Sequence, residues 1–431
     1  MRRPPSSSTK TTTAIAAIHR QAALLKKRAH RDERKKHDEN FRVGIEIEAC
    51  LVDHRGGLVD AGPLIKAFHR SRHKLDYEYA RCQFEFKTEH VSMHDLADLN
   101  AHFEDFIEQL DKKINKVYPN EQVIPVFLGA NPSPAILSYN DDWVTDKTRY
   151  IRLAKWQSSH ISDVEIEGKS VKALHAAYAI QGFHFHLQGR DPDYTAEMFN
   201  HILNLIPAAI LLGANSRLFA GRIFSMHEPR IYLYDQTEQQ NSGFPAISKY
   251  LQNVDDYIDY IISRKPIIAK NYFEMVKERH DDARIRLNGP GYRVETRIMS
   301  VQPTPKALMA MIEFFTGYLY RAIHESRELR PLASLREERQ SVIRSGFHAK
   351  THFNIIDTVR HHLAFAHKGL QDLGVKKEFL SILDRRLENK TSPGDYVARL
   401  WESKFNGSIN DTVAEVANHI WQRTKSNNPI T

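Results

Sequence analysis

The sequence predicts an α+β fold, in which a mostly antiparallel sheet carries helices on its apolar face and a helical C-terminal region follows. Three observations lead there. Between Phe41 and Ser300, short runs of strict apolar/polar alternation recur, the period of a strand with two unlike faces. The links between these runs lack a regular strand–helix–strand rhythm, which speaks against a parallel sheet. Beyond Pro305 the apolar spacing is helical almost to the end of the chain.

The elements follow in order. FRVGIEIEACLVD sets Val43, Ile45, Ile47, Ala49 and Leu51 on one face and Gly44, Glu46, Glu48 and Cys50 on the other. HRGG then reads as a turn into Leu58-Val59. CQFEFKT alternates again, with Phe84 and Phe86 opposed to Gln83, Glu85 and Lys87. From Asp95 to Val117, apolar residues from Leu96 to Val117 step by three or four, an amphipathic helix with Ser92 as N-cap candidate and Pro119 as stop. VIPVFLG is an apolar strand entering the ANPSP loop. QGFHFHLQG sets Phe183, Phe185 and Leu187 against His184, His186 and Gln188. A helix is expected over 195–220. The most apolar stretch, Ile202 to Ala214, holds Asn204 and Pro207 and reads as a buried helix, so no membrane span is expected. YRVETRIMS closes the set, with Val294, Thr296 and Ile298 opposed to Arg293, Glu295 and Arg297.

Composition limits the function classes. The 431 residues carry 61 Lys+Arg against 53 Asp+Glu, a net charge of +8. The first 38 residues hold eleven of those cations and three of the acids, so the remaining body is neutral. A basic pI is thus a property of the arm, and nucleic acid is not an expected partner of the folded body. SSSTKTTT reads as unstructured, and Ile15, Ile18, Ala22 and Leu25 then recur at helical spacing. The favoured reading is a solvated tail leading into a packed helix, and the arm is expected to be dispensable. A transit peptide, a nucleic-acid patch and a membrane-surface helix remain open. Two cysteines exclude a disulfide scaffold and point to a reducing, cytoplasmic setting.

Chemistry concentrates on the polar faces. Glu46, Glu48, Glu85, His184, His186, Arg293, Glu295 and Arg297 occupy the polar sides of four strands, which share one face if the strands share a sheet. Each strand alone would read as a solvated edge; four together do not. Two like charges near 4 Å cost about 4 kcal/mol at an effective dielectric of 20. Hard divalent cations relieve that cost, and an oxygen-rich set with imidazole suits Mg²⁺, with Mn²⁺ as alternative. Arginines beside Glu295 suit a transferring phosphoryl group. No Walker A loop, GxGxxG, C-x-x-C or H-E-x-x-H occurs, so P-loop, Rossmann and zinc readings lack support.

VGIEIEACLVD, QFEFKTEHVS, FLGANPSP, TRYIR, QGFHFHLQ and YRVETRIMSVQPTP, in that order, resemble the second glutamate–cysteine ligase family, and its bacterial carboxylate–amine ligase branch in particular. The resemblance spans roughly residues 41 to 325. It implies a glutamine-synthetase-like fold, whose antiparallel sheet forms a funnel for Mg²⁺ and ATP. It also implies ligation of the γ-carboxylate of glutamate to an amine, by default that of cysteine, through a γ-glutamyl phosphate. Residues 1–40 would be a basic, partly disordered arm, 41–330 the ligase catalytic domain and 331–431 a helical extension packed on the core.

Position by position, the resemblance implies Glu46, Glu48, Glu85, His184 and Glu295 as metal ligands, with His186 at a more variable position. Arg297 resembles an arginine facing the phosphoryl group, and Arg149 a phosphate or substrate contact that Arg152 assists. Arg149, Arg152, Arg293 and Arg297 are thus the expected nucleotide-side residues, and Arg297, Arg149 and Glu295 the catalytic ones. Asn215, Arg222, Arg230 and Arg344 are lesser candidates. Arg81 and Arg293 depart from the family pattern and are expected to add cations to the funnel. Expected partners are glutamate and cysteine or another amine; a homodimer is left open, since the sequence does not give the oligomeric state. Two rivals stand beside the ligase: the same chemistry with another amine, and a non-catalytic regulatory relative.

Overall fold

The computed structural model describes residues 7–32, 41–139, 141–237, 241–287, 291–325, 327–376 and 378–431. Its centre is an eight-stranded sheet in which every pairing is antiparallel: β1 (Arg42–Val52), β2 (Leu75–Tyr77), β3 (Gln83–Lys87), β4 (Val91–Ser92), β5 (Ile124–Val126), β8 (Gly182–Gln188), β13 (Ala283–Arg286) and β14 (Arg293–Ser300). Their order is β13-β14-β8-β1-β3-β2, with β4 and β5 pairing with β1 near its ends. The four alternating strands read from the sequence are therefore neighbours. Three small ladders lie outside: β6 (Val164–Ile166) with β7 (Lys169–Val171), β9 (Leu218–Phe219) with β10 (Arg222–Ile223), and β11 (Ser242–Gly243) with β12 (His280–Asp281). HRGG does turn the chain, but it returns as a single bridge between Val52 and Leu58.

Alternation sends the aromatic side chains to one face, where helices cover them. The helices that precede β13 in the chain are α1 (Ser7–Asp32), α2 (Gly62–Phe68), α3 (Leu96–Val117), α4 (Thr148–His160), α5 (Ala173–Ala179), α6 (Pro192–Gly213), α7 (Pro229–Thr237), α8 (Val254–Ile262) and α9 (Tyr272–Glu278). The Phe86 ring of β3 stacks on Phe106 of α3, with centroids 3.8 Å apart. Phe185 of β8 meets Phe315 of α10 (Pro305–His324) at 5.4 Å. The expected helix over 195–220 is α6, which Asp191 starts by accepting the Tyr194 N–H at 2.7 Å and which ends at Gly213. Pro207 stands inside it, and the helix is almost wholly buried beneath the sheet and α10.

After α10 the chain is helical, as its spacing predicts: α11 (Leu332–Ser345), α12 (Ile355–Asp372), α13 (Ser381–Asn389), α14 (Pro393–Lys404) and α15 (Ile409–Lys425). These helices join the core. Trp421 of α15 lies 6.2 Å from Phe127, just beyond β5, and the Thr424 hydroxyl donates to the Pro303 carbonyl at 2.6 Å.

The arm differs from expectation. Its helix begins at Ser7, inside the Ser/Thr stretch read as unstructured, because a helix held by packing further along propagates cheaply into its own N-terminus. Ile18, Ala22 and Ala29 of α1 are buried, while Arg20, Lys27, Arg28 and Arg31 face solvent. Gln21 Oε1 accepts the Tyr272 N–H at 2.8 Å, Lys26 pairs with Asp259 at 2.7 Å, and the Tyr292 hydroxyl donates to Asp32 at 2.7 Å. The basic helix is packed on α8 and α9.

Candidate functional site

Register sets the site. In the ladders, Glu46 opposes both Lys87 and His184, Glu48 opposes Glu85, and Glu295 opposes both His186 and Arg284. The polar face they share lines a cavity of about 280 Å³. At its β1/β3 end stand Glu46, Glu48, Glu78, Glu85 and His184; at its β13/β14 end stand Arg284, Arg286 and Arg297, with Arg149, Arg230 and Lys277 beside them.

The face offers three overlapping groups whose ligand atoms lie within 4.8 Å of one another: Glu46, Glu85 and His184, and Glu48, Glu78 and Glu85, at the acidic end, and Glu46, His186 and Glu295, which reaches behind the lining toward the basic end. His184 Nδ1 lies 3.2 Å from Glu46 Oε2, whereas its buried Nε2 has no hydrogen-bond partner. Buried carboxylates around an orphaned imidazole nitrogen are the donor set of a hard divalent cation, so the residues fit the expected metal. Their titration is uneven. Burial, then repulsion from Glu48, pushes the Glu78 carboxyl up to about 7. Burial with Glu46 and Glu78 nearby holds Glu85 well above the usual carboxylate range. Burial would raise Glu46 too, but the imidazoles of His184 and His186 outweigh it and hold that group well below the range.

The basic end is organised by Glu295. Its side chain is fully buried and receives Arg284 through two bonds, at 2.8 and 2.7 Å, and Arg297 Nη1 at 2.8 Å. Arg286 adds an ion pair at 3.6 Å. Burial opposes ionisation of Glu295, yet Arg284, His186, Arg297 and Arg286 together keep it well below the ordinary value. The Nε atoms of Arg286 and Arg297 are buried without a hydrogen-bond partner, and both side chains line the cavity.

A bulge aims Arg297. Between Thr296 and Met299 the β14–β8 register shifts, which interrupts the expected alternation and buries Ile298 and Met299 in succession. Arg230 braces this bulge by donating to the Ile298 carbonyl at 3.3 Å and the Arg297 carbonyl at 3.2 Å. Gly182 makes room: a Cβ there would stand 2.4 Å from Arg230 Nη2. Its N–H donates to Glu48 Oε2 at 2.5 Å.

Of the residues singled out from sequence, Glu46, Glu48, Glu85, His184, Arg149 and Arg297 line the cavity, and Glu295 touches that lining through Arg284 and Arg297. Arg152 is turned away and donates to the Ile268 carbonyl; Arg293 is outside the lining, opposite Gln188 in the ladder. Arg149 holds a lining wall together by donating to the Lys277 carbonyl at 2.6 Å. Arg81 adds no cation to the cavity, because its guanidinium pairs with Asp146 at 3.1 Å. Among the lesser candidates only Arg230 reaches the cavity. Asn215 ties Phe127 to Val301 by donating to both carbonyls, Arg222 donates to the Glu167 carbonyl, and Arg344 is exposed on α11.

Lining residues that the sequence did not single out for the site include Glu78, Lys87, Lys147, Arg284, Arg286 and Lys277. Arg284 and Arg286 alternate with Ala283 and Ile285, the same period-2 signal used elsewhere. Glu78 follows Asp76 at the same period. Lys277 carries no such signal, because it stands on α9, which the fold brings to the sheet.

Among curated protein sequences none matches the chain. Among solved structures, a bifunctional glutathione synthetase from Pasteurella multocida superposes with a TM-score of 0.60 at 16% identity, covering 95% of this chain and 54% of that one. The chain thus spans about half the length of that protein. A glutamate–cysteine ligase from Francisella tularensis, determined in complex with AMP, superposes with a TM-score of 0.55 at 13% identity, covering 90% of both chains. At these identities the likeness establishes the fold alone. The model of glutamate-cysteine ligase family 2, however, matches residues 42–378, from the first strand of the sheet through α12, and the chain belongs to that family.

Proposed function

We propose that this protein is an ATP-dependent carbon–nitrogen ligase that joins the γ-carboxylate of glutamate to an amine by way of a γ-glutamyl phosphate. The observation that carries this reading is one cavity with overlapping acidic cradles at one end and a cluster of arginines at the other. Family membership supports the ligase class, and the AMP bound by the Francisella relative supports nucleotide use. Mg²⁺ or Mn²⁺ would be held by Glu46, Glu85 and His184 and by Glu48, Glu78 and Glu85, and would neutralise phosphate charge there.

The chain's own residues divide the remaining work. A substrate carboxylate is already ionised at pH 7, so its attack on the terminal phosphorus, with ADP leaving, needs no general base. Arg297 and Arg286 line the cavity and set positive charge against the charge that moves during transfer, and Glu295 pairs with both guanidiniums beforehand. The amine nitrogen then attacks the acyl carbon, phosphate leaves and the nitrogen sheds a proton. Phosphate release from ATP, measured with glutamate and a panel of amines, tests the reading. Release that requires both glutamate and an amine is expected, with cysteine as the default acceptor. No release with any amine would overturn the ligase assignment.

A further inference from the structure

Lys87 stands inside a candidate metal cradle. It follows Glu85 by two residues on β3 and opposes Glu46 across the ladder, so alternation and register together drive its side chain between the two carboxylates. Its Nζ lies 2.7 Å from Glu85 Oε2 and 3.5 Å from Glu46 Oε1. Glu46 and Glu85 are two of the three ligands, with His184, of one cradle. The neighbouring cradle of Glu48, Glu78 and Glu85 meets Lys87 through Glu85 alone. Lys147, which also lines the cavity, is drawn instead to Asp76 at 2.9 Å and to the Tyr77 carbonyl at 2.6 Å. The two cradles share Glu85 and differ in how many of their carboxylates Lys87 holds, two in the first and one in the second.

We propose that Lys87 is a resident cation that occupies the Glu46–Glu85 cradle and must leave before a divalent ion binds there, so that the two cradles fill in order. The inference rests on the metal reading of this cavity. Two carboxylates set diagonally across β1 and β3 need a counter-charge when no metal is bound, and an ammonium on a four-carbon stem supplies it. The same stem lets it go. The side chain is half-exposed, so the ammonium can swing into solvent while its methylenes stay against the strand. A divalent ion entering the Glu48–Glu78–Glu85 cradle breaks no ammonium bridge between its ligands, since Lys87 touches only Glu85 there. One entering beside His184 must break a charge-assisted hydrogen bond, and its binding is weakened by that cost.

Mn²⁺ alone is the probe, titrated into the full chain without nucleotide and followed by the paramagnetic resonance signal of the free ion. The parent should bind one ion more tightly than a second. Lys87→Met should tighten the weaker site by about tenfold, the scale of one such bond, while Lys87→Arg keeps the parent isotherm. Lys87→Gln makes the same test if the methionine variant does not fold. An isotherm for the neutral variant that superposes on a parent that does bind Mn²⁺ would overturn the role of Lys87. If neither protein binds Mn²⁺, the metal reading falls first and this inference with it.

Discussion

Glu85 and Glu295 are both buried carboxylates on one sheet face, yet their neighbours make them electrostatic opposites. Glu85 has Glu46 and Glu78 against it and one ammonium for relief; Glu295 has three arginines. Reading the strands as a set of mutually repelling acids is right for the first and wrong for the second. Glu85→Gln should therefore leave the melting temperature in chelator-treated buffer unchanged or higher while abolishing turnover. Glu295→Gln should lower it, by about 3 kcal/mol of stability, because it strands Arg284 and Arg297 without their counter-charge. A thermal melt at pH 8 compares the two, and equal melting temperatures would reject the distinction. Arg297→Lys keeps the charge but loses the planar fork. If the fork grips the phosphoryl group in flight, kcat should fall at least about 100-fold while KM for ATP barely moves. Steady-state kinetics decide it, and a raised KM with unchanged kcat would make Arg297 a ground-state anchor.

At the scale of elements, α10 and α12 cross through glycines. A Cβ on Gly369 would stand 1.8 Å from the Gly317 carbonyl oxygen, and one on Gly317 would stand 2.3 Å from the Ala366 carbonyl oxygen. Helix propensity alone favours Gly→Ala by about 1 kcal/mol in a helix interior. Here the obstacle is backbone of the facing helix, which cannot turn aside as a side chain could. Overpacking of this kind costs about 1–3 kcal/mol, so Gly369→Ala should be destabilising in spite of its better propensity. Chemical denaturation with an unchanged m-value and a lower midpoint would bear this out. The crossing matters for the site only indirectly: α10 carries Phe315, which packs under β8, the strand of His184.

Across the whole molecule, α1 and the buried histidines behave differently from what composition implies. Because Gln21, Lys26 and Asp32 reach α9, α8 and the approach to β14, deleting residues 1–32 should lower the melting temperature and the yield of soluble protein. Turnover should fall with them, since α9 presents Lys277 to the cavity. A truncated protein with parental stability and activity would return the arm to the role of a dispensable tail. Burial lowers His201 to about 4 and His362 to about 3, so both stay neutral in the fold while the unfolded chain protonates near 6.5. Depressed folded values mean stability that is present above pH 6.5 and lost as the pH falls below it. Each group contributes about 1.4 kcal/mol per pH unit in that window. Buried carboxylates pushed upward, such as Glu78 and Glu313, both to about 7, act with the opposite sign, so the overall profile is a sum. The comparison with His362→Phe isolates one term. Relative to the parent, that variant should gain stability steadily between pH 6 and 4, as read by urea midpoints, and a constant difference would show that His362 does not titrate as stated.

Period-2 alternation was enough to place Glu46, Glu48, Glu85, His184, Glu295 and Arg297 on one face, because a strand's geometry leaves its side chains only two directions. It was also enough to bring four strands together in kind, and the helical spacing beyond Pro305 was legible for the same local reason. Arg284 and Arg286 lay within reach of that logic. What no local pattern contains is which strands are neighbours, since register is a long-range pairing: that Glu46 meets Lys87 on one side and His184 on the other follows from contacts more than forty residues apart. The bulge at Arg297, braced by Arg230 from α7, is equally invisible to periodicity, as is the delivery of Lys277 by α9. Most of all, charge on a residue says nothing of its sign of contribution until its neighbours are known. Only the tertiary fold turned Arg152 and Arg81 away from the cavity, wrapped Glu295 in arginines and set an ammonium between Glu46 and Glu85, because electrostatic energy depends on distances that the chain acquires by folding.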